Sequence, residues 1–385
     1  MAKVYAGIED LRRAAQRRTP RMVFDYVDGA ARAEITMRNN RAAFDDVGFQ
    51  PKMAVESNEV DLSTTVLGRQ LALPLILSPC GGLRAVHPDG DAGAARAAHR
   101  AGTVFTLSSA AGMTIEDVAA AAPGPRWFQL YFLGGRAGAE RLVERAARAG
   151  YEALLVTVDT NVPGVRERDV RNGLTRGLDI TASNIVRFAP QVALRPGWLV
   201  RYMRDGMSVR VANAAGLGLD GNIMSPEQAS ALMFAEPPTW TDISWLRDHW
   251  KGPLLVKGVL SADDARYAVD LGADGVVVSN HGGRQLDGAP ATLRVLPSVV
   301  DAIGHQATVL IDSGVRRGSD IVKAVAMGAK AAMIGRAYAY GLGAHGEAGV
   351  DTAIGLLRNE LRNTMQLLGC ASVVQLDRSW LDLAH

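Results

Sequence analysis

Short, almost uninterrupted apolar runs recur along the chain at a regular spacing. Continuous apolarity of this length is typical of strands buried on both faces of a parallel sheet. The runs are LPLILSP (73–79), TVFTLSS (103–109), WFQLYF (127–132), EALLVTV (152–158), PLLVKGV (253–259), GVVVSN (275–280), TVLIDSG (308–314) and AAMIGRA (331–337). Segments with helical periodicity separate them, for example at 90–102, 136–150 and 261–273. Eight strand–helix units predict an α/β fold, the (β/α)8 TIM barrel, formed by one domain over residues 1–385.

The ends of the helical segments support this alternation. Ser261 precedes two acidic residues and is expected to cap a helix, and a glycine closes several helical segments just before the next strand. These glycines are Gly102, Gly150, Gly272 and Gly328. A doubly wound sheet is the alternative, but no GxGxxG motif follows the first strand.

Two regions fall outside the rhythm. Residues 1–70 are expected to form a helical cap over the bottom and one side of the barrel. Residues 160–240 form an insert after the fourth strand, too long for a plain connection and therefore a mobile, lid-like element at the C-terminal mouth. The insert carries GLGLDGN (216–222) and RPGWLVRYM (195–203), which is either a packed part of the lid or, through its Trp and Arg residues, a membrane-surface or partner patch.

Composition narrows the possible functions. The net charge is +2 with basic and acidic residues interleaved, so a nucleic-acid partner is not expected. Cys80 and Cys370 are the two cysteines, which suggests neither a disulfide framework nor a metal cluster. With no secretory signal and no long apolar span in the sequence, a cytoplasmic protein is expected.

Nearly every predicted strand ends in a polar or ionisable residue, and the C-terminal strand ends hold the active site in such barrels. In the stretch DGVVVSNHGGRQLDG (274–288), His281 is suited to act as a general base, and Asp159 could orient it. Arg284 and Arg166 could hold a carboxylate, with Arg168 and Arg171 as rivals for the second role.

Three further features of these strand ends suggest a bound cofactor. Gly282 and Gly283 would leave room for a flat ligand. Lys257 could stabilise negative charge on a cofactor or form a Schiff base. Glycines and arginines after the seventh and eighth strands predict a phosphate site. Its residues are Asp312, Gly314, Arg316, Gly335 and Arg336.

SNHGGRQLDG (279–288) after VKG (256–258), together with IDSGVRRGSDIVKAVAMGA (311–329), resembles the FMN-dependent α-hydroxy acid dehydrogenase and oxidase family. The His-Gly-Gly-Arg-Gln stretch is highly specific, whereas other phosphate-binding barrels carry runs like the second. The likeness extends from RTPRMVFDYVDGA (18–30) to GLLRNELRNTMQLLGC (355–370). The resemblance implies that the cofactor is FMN.

The resemblance also implies a role for individual residues. It makes His281 the base beside Asp159, and it makes Tyr26 and Tyr131 helpers of the two arginines in binding the substrate, with Tyr131 also close to the chemistry. Lys257 would face the N1/O2 side of the flavin, and Asp312 with Ser313 the ribityl chain. The residues implied around the ring are Pro79, Cys80, Gly81, Ser108, Gln129, Thr157 and Ser279. Those implied at the phosphate are Gly314, Arg316, Gly335 and Arg336.

The implied reaction is oxidation of an L-2-hydroxy acid to the 2-oxo acid, by a hydride or a carbanion route, with electrons passing from FMN to oxygen, a quinone or another carrier. Ala110 and Gly81 are smaller than their counterparts in glycolate oxidase-like members, which favours a substrate larger than glycolate and weakly favours a dehydrogenase. The alternative is oxidation of an amine or a modified peptide in natural-product maturation. The resemblance further suggests a homotetramer, in the cytoplasm or peripheral at the inner membrane.

Overall fold

The computed structural model describes residues 4–56, 58–174, 182–206, 210–215 and 226–383, with the backbone alone at 182–187. Eight parallel strands close into a barrel, in the order β4 to β11 around the ring, with β11 beside β4. The strands are β1 (Val47–Phe49), β2 (Thr64–Val66), β3 (Arg69–Leu71), β4 (Leu75–Leu77), β5 (Phe105–Ser108), β6 (Arg126–Leu130), β7 (Ala153–Thr157), β8 (Leu254–Val259), β9 (Gly275–Val278), β10 (Thr308–Ile311), β11 (Ala331–Ile334) and β12 (Leu381–Leu383). The predicted TIM barrel is confirmed, because Ala332 of β11 pairs with Leu75 of β4 and leaves no open edge.

Helices follow the barrel strands and also build the N-terminal segment and the insert. They are α1 (Ile8–Arg18), α2 (Arg21–Asp28), α3 (Ile35–Asp45), α4 (Leu83–Val86), α5 (Gly90–Arg100), α6 (Ile115–Ala121), α7 (Gly135–Arg148), α8 (Glu167–Asn172), α9 (Ala182–Ala193), α10 (Pro196–Arg204), α11 (Pro226–Ala235), α12 (Trp240–His249), α13 (Ala262–Asp270), α14 (Thr292–Ile303), α15 (Gly318–Ala326), α16 (Arg336–His345) and α17 (Glu347–Leu368).

The predicted helix ends are confirmed by the backbone. Gly102, Gly150, Gly272 and Gly328 have φ values of 69°, 74°, 94° and 106°, the left-handed region in which a helix can turn back into a strand without a Cβ clash. At the other end of α13, the Ser261 side chain accepts a hydrogen bond from the amide of Asp264.

Side chains that point into the barrel change character along each strand. Trp127, Leu155, Leu255 and Val277 belong to one apolar cluster that fills the lower interior. Since side chains alternate along a strand, the residues two positions further on also point inward, at the C-terminal mouth. These residues are Gln129, Thr157, Lys257 and Ser279, and Ser108 and Asp312 occupy the corresponding positions of β5 and β10. The strands therefore place a polar layer on top of an apolar core.

The N-terminal segment is arranged differently from the prediction. Helices are predicted over the barrel bottom, but that end is closed by the β2–β3 hairpin, whose Val66 and Leu71 join the interior apolar cluster. Helices α2 and α3 instead reach the mouth, where the amide of Ala31 donates to the carbonyl of Gly283. Apolar periodicity marks a helix as buried but not the end of the barrel against which it packs, so the sequence could not separate these placements.

The insert supplies α8 to α11 above the fourth strand, while the GLGLDGN stretch lies outside the described residues. Within RPGWLVRYM, Trp198 is buried, donates to the carbonyl of Ala85 at 3.0 Å and stacks on Tyr202 with ring centroids 4.7 Å apart. The tryptophan is thus part of a packed element, as one of the two interpretations expected. In the part of the chain that is described, no helix is both long and apolar enough to span a membrane.

Candidate active site

A cavity of about 280 Å³ opens at the C-terminal mouth of the barrel. Most of the residues predicted for the site line it. They are Tyr26, Pro79, Cys80, Gly81, Ser108, Tyr131, Thr157, Arg166, Lys257, His281, Arg284, Asp312, Ser313, Gly314, Arg316, Gly335 and Arg336. The remaining three, Gln129, Asp159 and Ser279, lie just outside the lining, and each is bonded to a residue within it.

The floor of the cavity is a hydrogen-bonded layer. The hydroxyl of Ser108 donates to the Gln129 side-chain oxygen at 2.8 Å, and the Gln129 amide donates to Thr157 at 2.9 Å. Further round the ring, Lys257 Nζ donates to Ser279 at 2.7 Å. Because each of these groups is held by its neighbour, the floor presents polar atoms in fixed positions to a ligand lying above it.

Lys257 has a charge partner that the sequence analysis did not find. Its Nζ lies 2.9 Å from Asp312 Oδ2, and both side chains are almost fully buried. Burial alone would lower the pKa of Lys257, but the negative charges of Asp312 and Asp159 raise it above its usual value. The amine therefore stays protonated, which removes the Schiff-base alternative and leaves a cation able to stabilise negative charge on a bound group.

The His-Gly-Gly turn has an unusual backbone conformation. His281, Gly282 and Gly283 have φ values of 59°, 67° and 73°, so three consecutive residues are left-handed. A Cβ on Gly282 would lie 2.7 Å from the Arg336 guanidinium, and one on Gly283 would lie 2.7 Å from the amide nitrogen of Met37. A side chain at either position would therefore collide with neighbouring protein groups, and room for a flat ligand, next to which Gly282 would lie in the cavity lining, stays a prediction.

This turn aims His281 at the cavity with its imidazole oriented. His281 Nδ1 lies 3.0 Å from Asp159 Oδ1, and Nε2 lies 3.3 Å from the Tyr131 hydroxyl. Because an ionised carboxylate only accepts, Nδ1 carries the proton and Nε2 of the neutral ring is free to accept one. Burial, with the charge of Asp159, raises the pKa of Tyr131 far above its usual value, so this residue remains a neutral hydroxyl.

Two cationic side chains flank the ring of Tyr26. The guanidinium carbons of Arg166 and Arg284 lie 5.8 and 5.1 Å from its centroid. Arg166 is paired with Asp169 at 2.6 Å, whereas Arg284 has no carboxylate within 4.0 Å among the described residues. Burial, followed by the charge of Arg166, lowers the pKa of Arg284, and its Nη1 donates to the backbone carbonyls of Tyr26 and Gly29, so an incoming anion would neutralise a partly buried charge.

The two rivals for the second arginine lie elsewhere. Arg168 forms ion pairs with Asp28 and Glu34, and Arg171 pairs with Glu167 on an exposed face of α8. Arg166 is thus the member of the three that lines the cavity.

The far end of the cavity is built for an anion. Arg336 donates to the backbone carbonyls of Val27, Gly29 and Gly282 at 2.7–3.0 Å, and burial lowers its pKa to about 10. Gly335 caps α16, whose first amide groups have no intrahelical partner. A Cβ on Gly335 would lie 3.2 Å from Cys80 Sγ, a tight contact that the glycine avoids.

Several groups at the site carry no signal in the sequence. Asn40 of α3 exchanges two hydrogen bonds with Asn280, at 2.9 and 2.8 Å, directly before His281. The outer wall of the cavity includes Val211, Met233 and Phe234 of the insert. Asn280 stands beside a quoted motif, but its partner is on a distant helix, and local sequence carries no signal for that pairing.

The residues present fit FMN. A floor of neutral and paired polar groups suits a planar heterocycle, Lys257 supplies a cation beside it, and the electropositive end with a capped helix suits a phosphate. Burial raises the pKa of the Cys80 thiol, so this cysteine is a neutral lining group.

Comparisons with known proteins agree with this geometry. The sequence profile of the FMN-dependent dehydrogenases matches residues 15–383. The chain is 42% identical over 379 residues to an L-lactate dehydrogenase of Caulobacter vibrioides, covering 98% of each. It is 43% identical over 364 residues to pre-mycofactocin synthase of Mycobacterium tuberculosis, covering 93% of this chain and 90% of that protein. A solved structure of the monotopic membrane protein (S)-mandelate dehydrogenase superposes with a TM-score of 0.92 at 40% identity, covering 99% of this chain and all of that one.

Proposed function

The chain belongs to the family of FMN-dependent dehydrogenases, and we propose that it oxidises an L-2-hydroxy acid larger than glycolate or lactate to the corresponding 2-oxo acid. The observation that carries the proposal is the position of His281, which is oriented by Asp159 at 3.0 Å and shares one cavity with the unneutralised Arg284. A base beside a carboxylate-binding cation is what the oxidation of a 2-hydroxy acid requires.

The substrate carboxylate is bound between Arg166 and Arg284, with Tyr26 between their guanidinium groups. A guanidinium offers two parallel donors to a carboxylate, so this contact fixes the orientation of the carbon that bears the hydroxyl group. Tyr131 stays protonated and donates its hydroxyl to the substrate on the side of His281.

Oxidation of the substrate removes two electrons and two protons. His281 accepts one proton at Nε2, from the hydroxyl in a hydride route or from the α-carbon in a carbanion route. Asp159 keeps its hydrogen bond to Nδ1 and stabilises the imidazolium that results. When bound, FMN would accept the two electrons and the second proton.

The residues that would hold FMN divide along the cavity. Ser108, Gln129, Thr157 and Ser279 lie along the floor with the backbone of Pro79–Gly81, and Lys257 provides the positive charge beside the ring. Asp312 and Ser313 would contact the ribityl chain, and Gly314, Arg316, Gly335 and Arg336 would hold the phosphate.

Two small residues support a bulky substrate. A Cβ on Gly81 would lie 3.3 Å from that of Ala110, so both positions leave space at the same place in the cavity. Leu133, Met233 and Phe234 provide an apolar wall. Burial of an aryl group against such a wall contributes about 25 cal/mol per Å² of apolar surface.

The test is anaerobic mixing of the FMN-loaded protein with glycolate, lactate, mandelate and a long-chain 2-hydroxy acid while flavin absorbance is followed. We expect faster bleaching by the larger acids and, in His281→Ala, a loss of about 10²-fold or more in rate. An Ala110→Leu substitution should raise the KM for mandelate and leave the KM for lactate unchanged. Faster turnover of glycolate than of every larger acid would contradict the size assignment.

Oxidation of an amine or modified peptide, the alternative from sequence, is not favoured, because the paired arginines offer a carboxylate site. One relative is a pre-mycofactocin synthase, so a protein that binds FMN but is bleached by no hydroxy acid would support that alternative. The final electron acceptor, oxygen or a quinone, and the homotetramer remain predictions of the resemblance. Admission of air after bleaching tests the acceptor.

The insert also supports a peripheral membrane contact. Leu194, Val200 and Met203, which we call the α10 patch, are 72%, 46% and 57% exposed, and Arg204 lies beside them. An exposed apolar surface next to a cation is suited to the headgroup region of an anionic bilayer. A solved neighbour is a monotopic membrane protein.

A further inference from the structure

Asp28, at the end of α2, is a buried carboxylate that the reaction above does not use. It is 3% exposed and does not line the cavity. Arg12 of α1 donates to both of its oxygens at 2.6 and 2.9 Å, Arg168 of α8 donates at 2.7 Å, and the Tyr340 hydroxyl of α16 donates at 2.7 Å. One side chain thus joins four helices, two of which carry parts of the candidate site.

The Arg168 contact leads to the substrate end. Arg168 also binds Glu34 at 2.5 Å, and it stands two residues after Arg166, which caps the same helix. On the other side of this contact, Tyr26 belongs to α2 together with Asp28. The Asp28–Arg168 ion pair therefore fixes the separation of Tyr26 and Arg166, two of the groups assigned to the substrate carboxylate.

The Tyr340 contact leads to the phosphate end. The guanidinium of Arg316 lies 5.7 Å from the centroid of the Tyr340 ring, so the hydroxyl bond to Asp28 fixes the surface on which Arg316 rests. The neighbouring Arg336 donates to the carbonyls of Val27 and Gly29, on either side of Asp28 in the chain. Both phosphate arginines are thus positioned by groups that Asp28 holds.

We infer that Asp28 is a positioning residue that couples the two anion-binding ends of the site, the substrate end through Arg168 and the phosphate end through Tyr340. The inference rests on the proposed function for the identity of the two anions. It assigns to one buried carboxylate an effect on both substrate and FMN affinity, without contact to either ligand.

The charge of Asp28 is essential to this role. Burial on its own would raise the pKa of Asp28, but the hydrogen bonds from Arg12, Tyr340 and Arg168 hold it well below its usual value. The carboxylate therefore stays ionised at pH values at which an ordinary aspartate would be protonated. Its neutral isostere would leave Arg12 and Arg168 without their shared counter-charge, and a partly buried cation left in this way rearranges or draws in water.

Substitutions at Arg168 and Tyr340 test the contact to the substrate end and the contact to the phosphate end separately. Arg168→Met should raise KM for the hydroxy acid about 10-fold, with kcat and the FMN dissociation constant changed by less than about 3-fold, since a bond to a charged group is worth 1.5–3 kcal/mol. Arg168→Lys should restore part of the KM, because an ammonium keeps one of the two contacts. Tyr340→Phe should instead weaken FMN about 5-fold, measured by the flavin fluorescence of a titrated apoprotein, and Asp28→Asn should show both effects.

Arg12→Met is the matched control. It removes a bond to the same carboxylate from the side of α1 and should lower the melting temperature while leaving KM and FMN affinity within about 2-fold of the parent. The inference is overturned if Asp28→Asn changes KM and FMN affinity no more than Arg12→Met does, or if Arg168→Met and Tyr340→Phe lower only the melting temperature. If no hydroxy acid reduces the flavin of the parent protein, the proposed function fails, whereas the FMN titrations still decide the Tyr340 branch.

Discussion

Asp91 lies fully buried in the first turn of α5, and neither of its oxygens completes a hydrogen bond with another described group. Burial raises its pKa to about 7, although its own backbone amide, the amide of Gly112 and the charge of Arg84, which lie nearby without completing a hydrogen bond to it, act in the opposite direction. Between pH 4 and 7, about its ordinary and its raised pKa, the folded protein holds a proton that the unfolded chain releases. The free energy of unfolding therefore falls as pH rises through this window and levels off above it.

Asp91→Asn should remove this pH-dependent loss, because the amide is neutral at every pH. At pH 8 we expect the free energy of unfolding of the variant to exceed that of the parent by on the order of 1–4 kcal/mol, with a higher melting temperature. At pH 5 the two proteins should differ much less. Thermal melts at the two pH values measure this, and Asp263→Asn, at an exposed carboxylate of α13, serves as control. An equal difference between parent and Asp91→Asn at both pH values would refute the assignment.

At the scale of elements, the N-terminal segment contacts both ends of the barrel with different consequences. The β2–β3 hairpin packs Leu71 into the lower core, while α3 places Asn40 against Asn280 beneath the His281 turn. Residues at the bottom of such barrels contribute to stability and those at the mouth to activity. The two elements therefore offer a comparison within one segment of chain.

We predict that Asn40→Ala and Leu71→Ala lower stability to a similar extent but separate in kcat. Loss of the Asn40 amide removes its two hydrogen bonds with Asn280 and the one it accepts from the Thr292 amide, at about 1–3 kcal/mol, and Leu71→Ala costs about 2–5 kcal/mol. Only Asn40→Ala should lower kcat, by about 10-fold, because the left-handed turn that aims His281 loses its support. Urea unfolding and steady-state kinetics on both variants test this; an equal change in kcat would show that the turn does not depend on α3.

Sequence predicted the elements better than their arrangement. Continuous apolarity identified all eight barrel strands, and glycines with positive φ marked the ends of their helices, because both signals are local. His281, Arg284 and Lys257 were predicted to share a site because they follow or end barrel strands, and they line one cavity. Pairs such as Lys257–Asp312 and Asn40–Asn280 could not be predicted from spacing, because they depend on how closed the barrel is and on where α3 packs.

At the scale of the whole molecule, one insert carries both the α10 patch and part of the outer wall of the cavity. Val200 and Met203 are three residues apart on α10 and so lie on one face of the helix, while Trp198 and Tyr202 anchor its opposite side against the barrel. Leu194, which stands just before α10 begins, adds a third exposed apolar side chain to this surface. The packed side holds the helix rigid, so its exposed side chains can enter a bilayer without unfolding the insert.

The protein should therefore sediment with vesicles that contain phosphatidylglycerol and much less with pure phosphatidylcholine, and added salt should weaken the binding. The triple variant Leu194→Ser, Val200→Ser and Met203→Ser should lose at least about 10-fold in vesicle affinity, since each buried apolar side chain contributes about 1.5–3 kcal/mol. Leu367→Ser with Val374→Ser is the matched control, because these side chains are 71% and 74% exposed on other elements. Turnover of a soluble hydroxy acid should be unchanged in both proteins, since neither set of residues lines the cavity.

Equal vesicle binding by the triple variant and the parent would place the membrane contact elsewhere, and no binding by the parent would leave the patch as an ordinary surface of the insert.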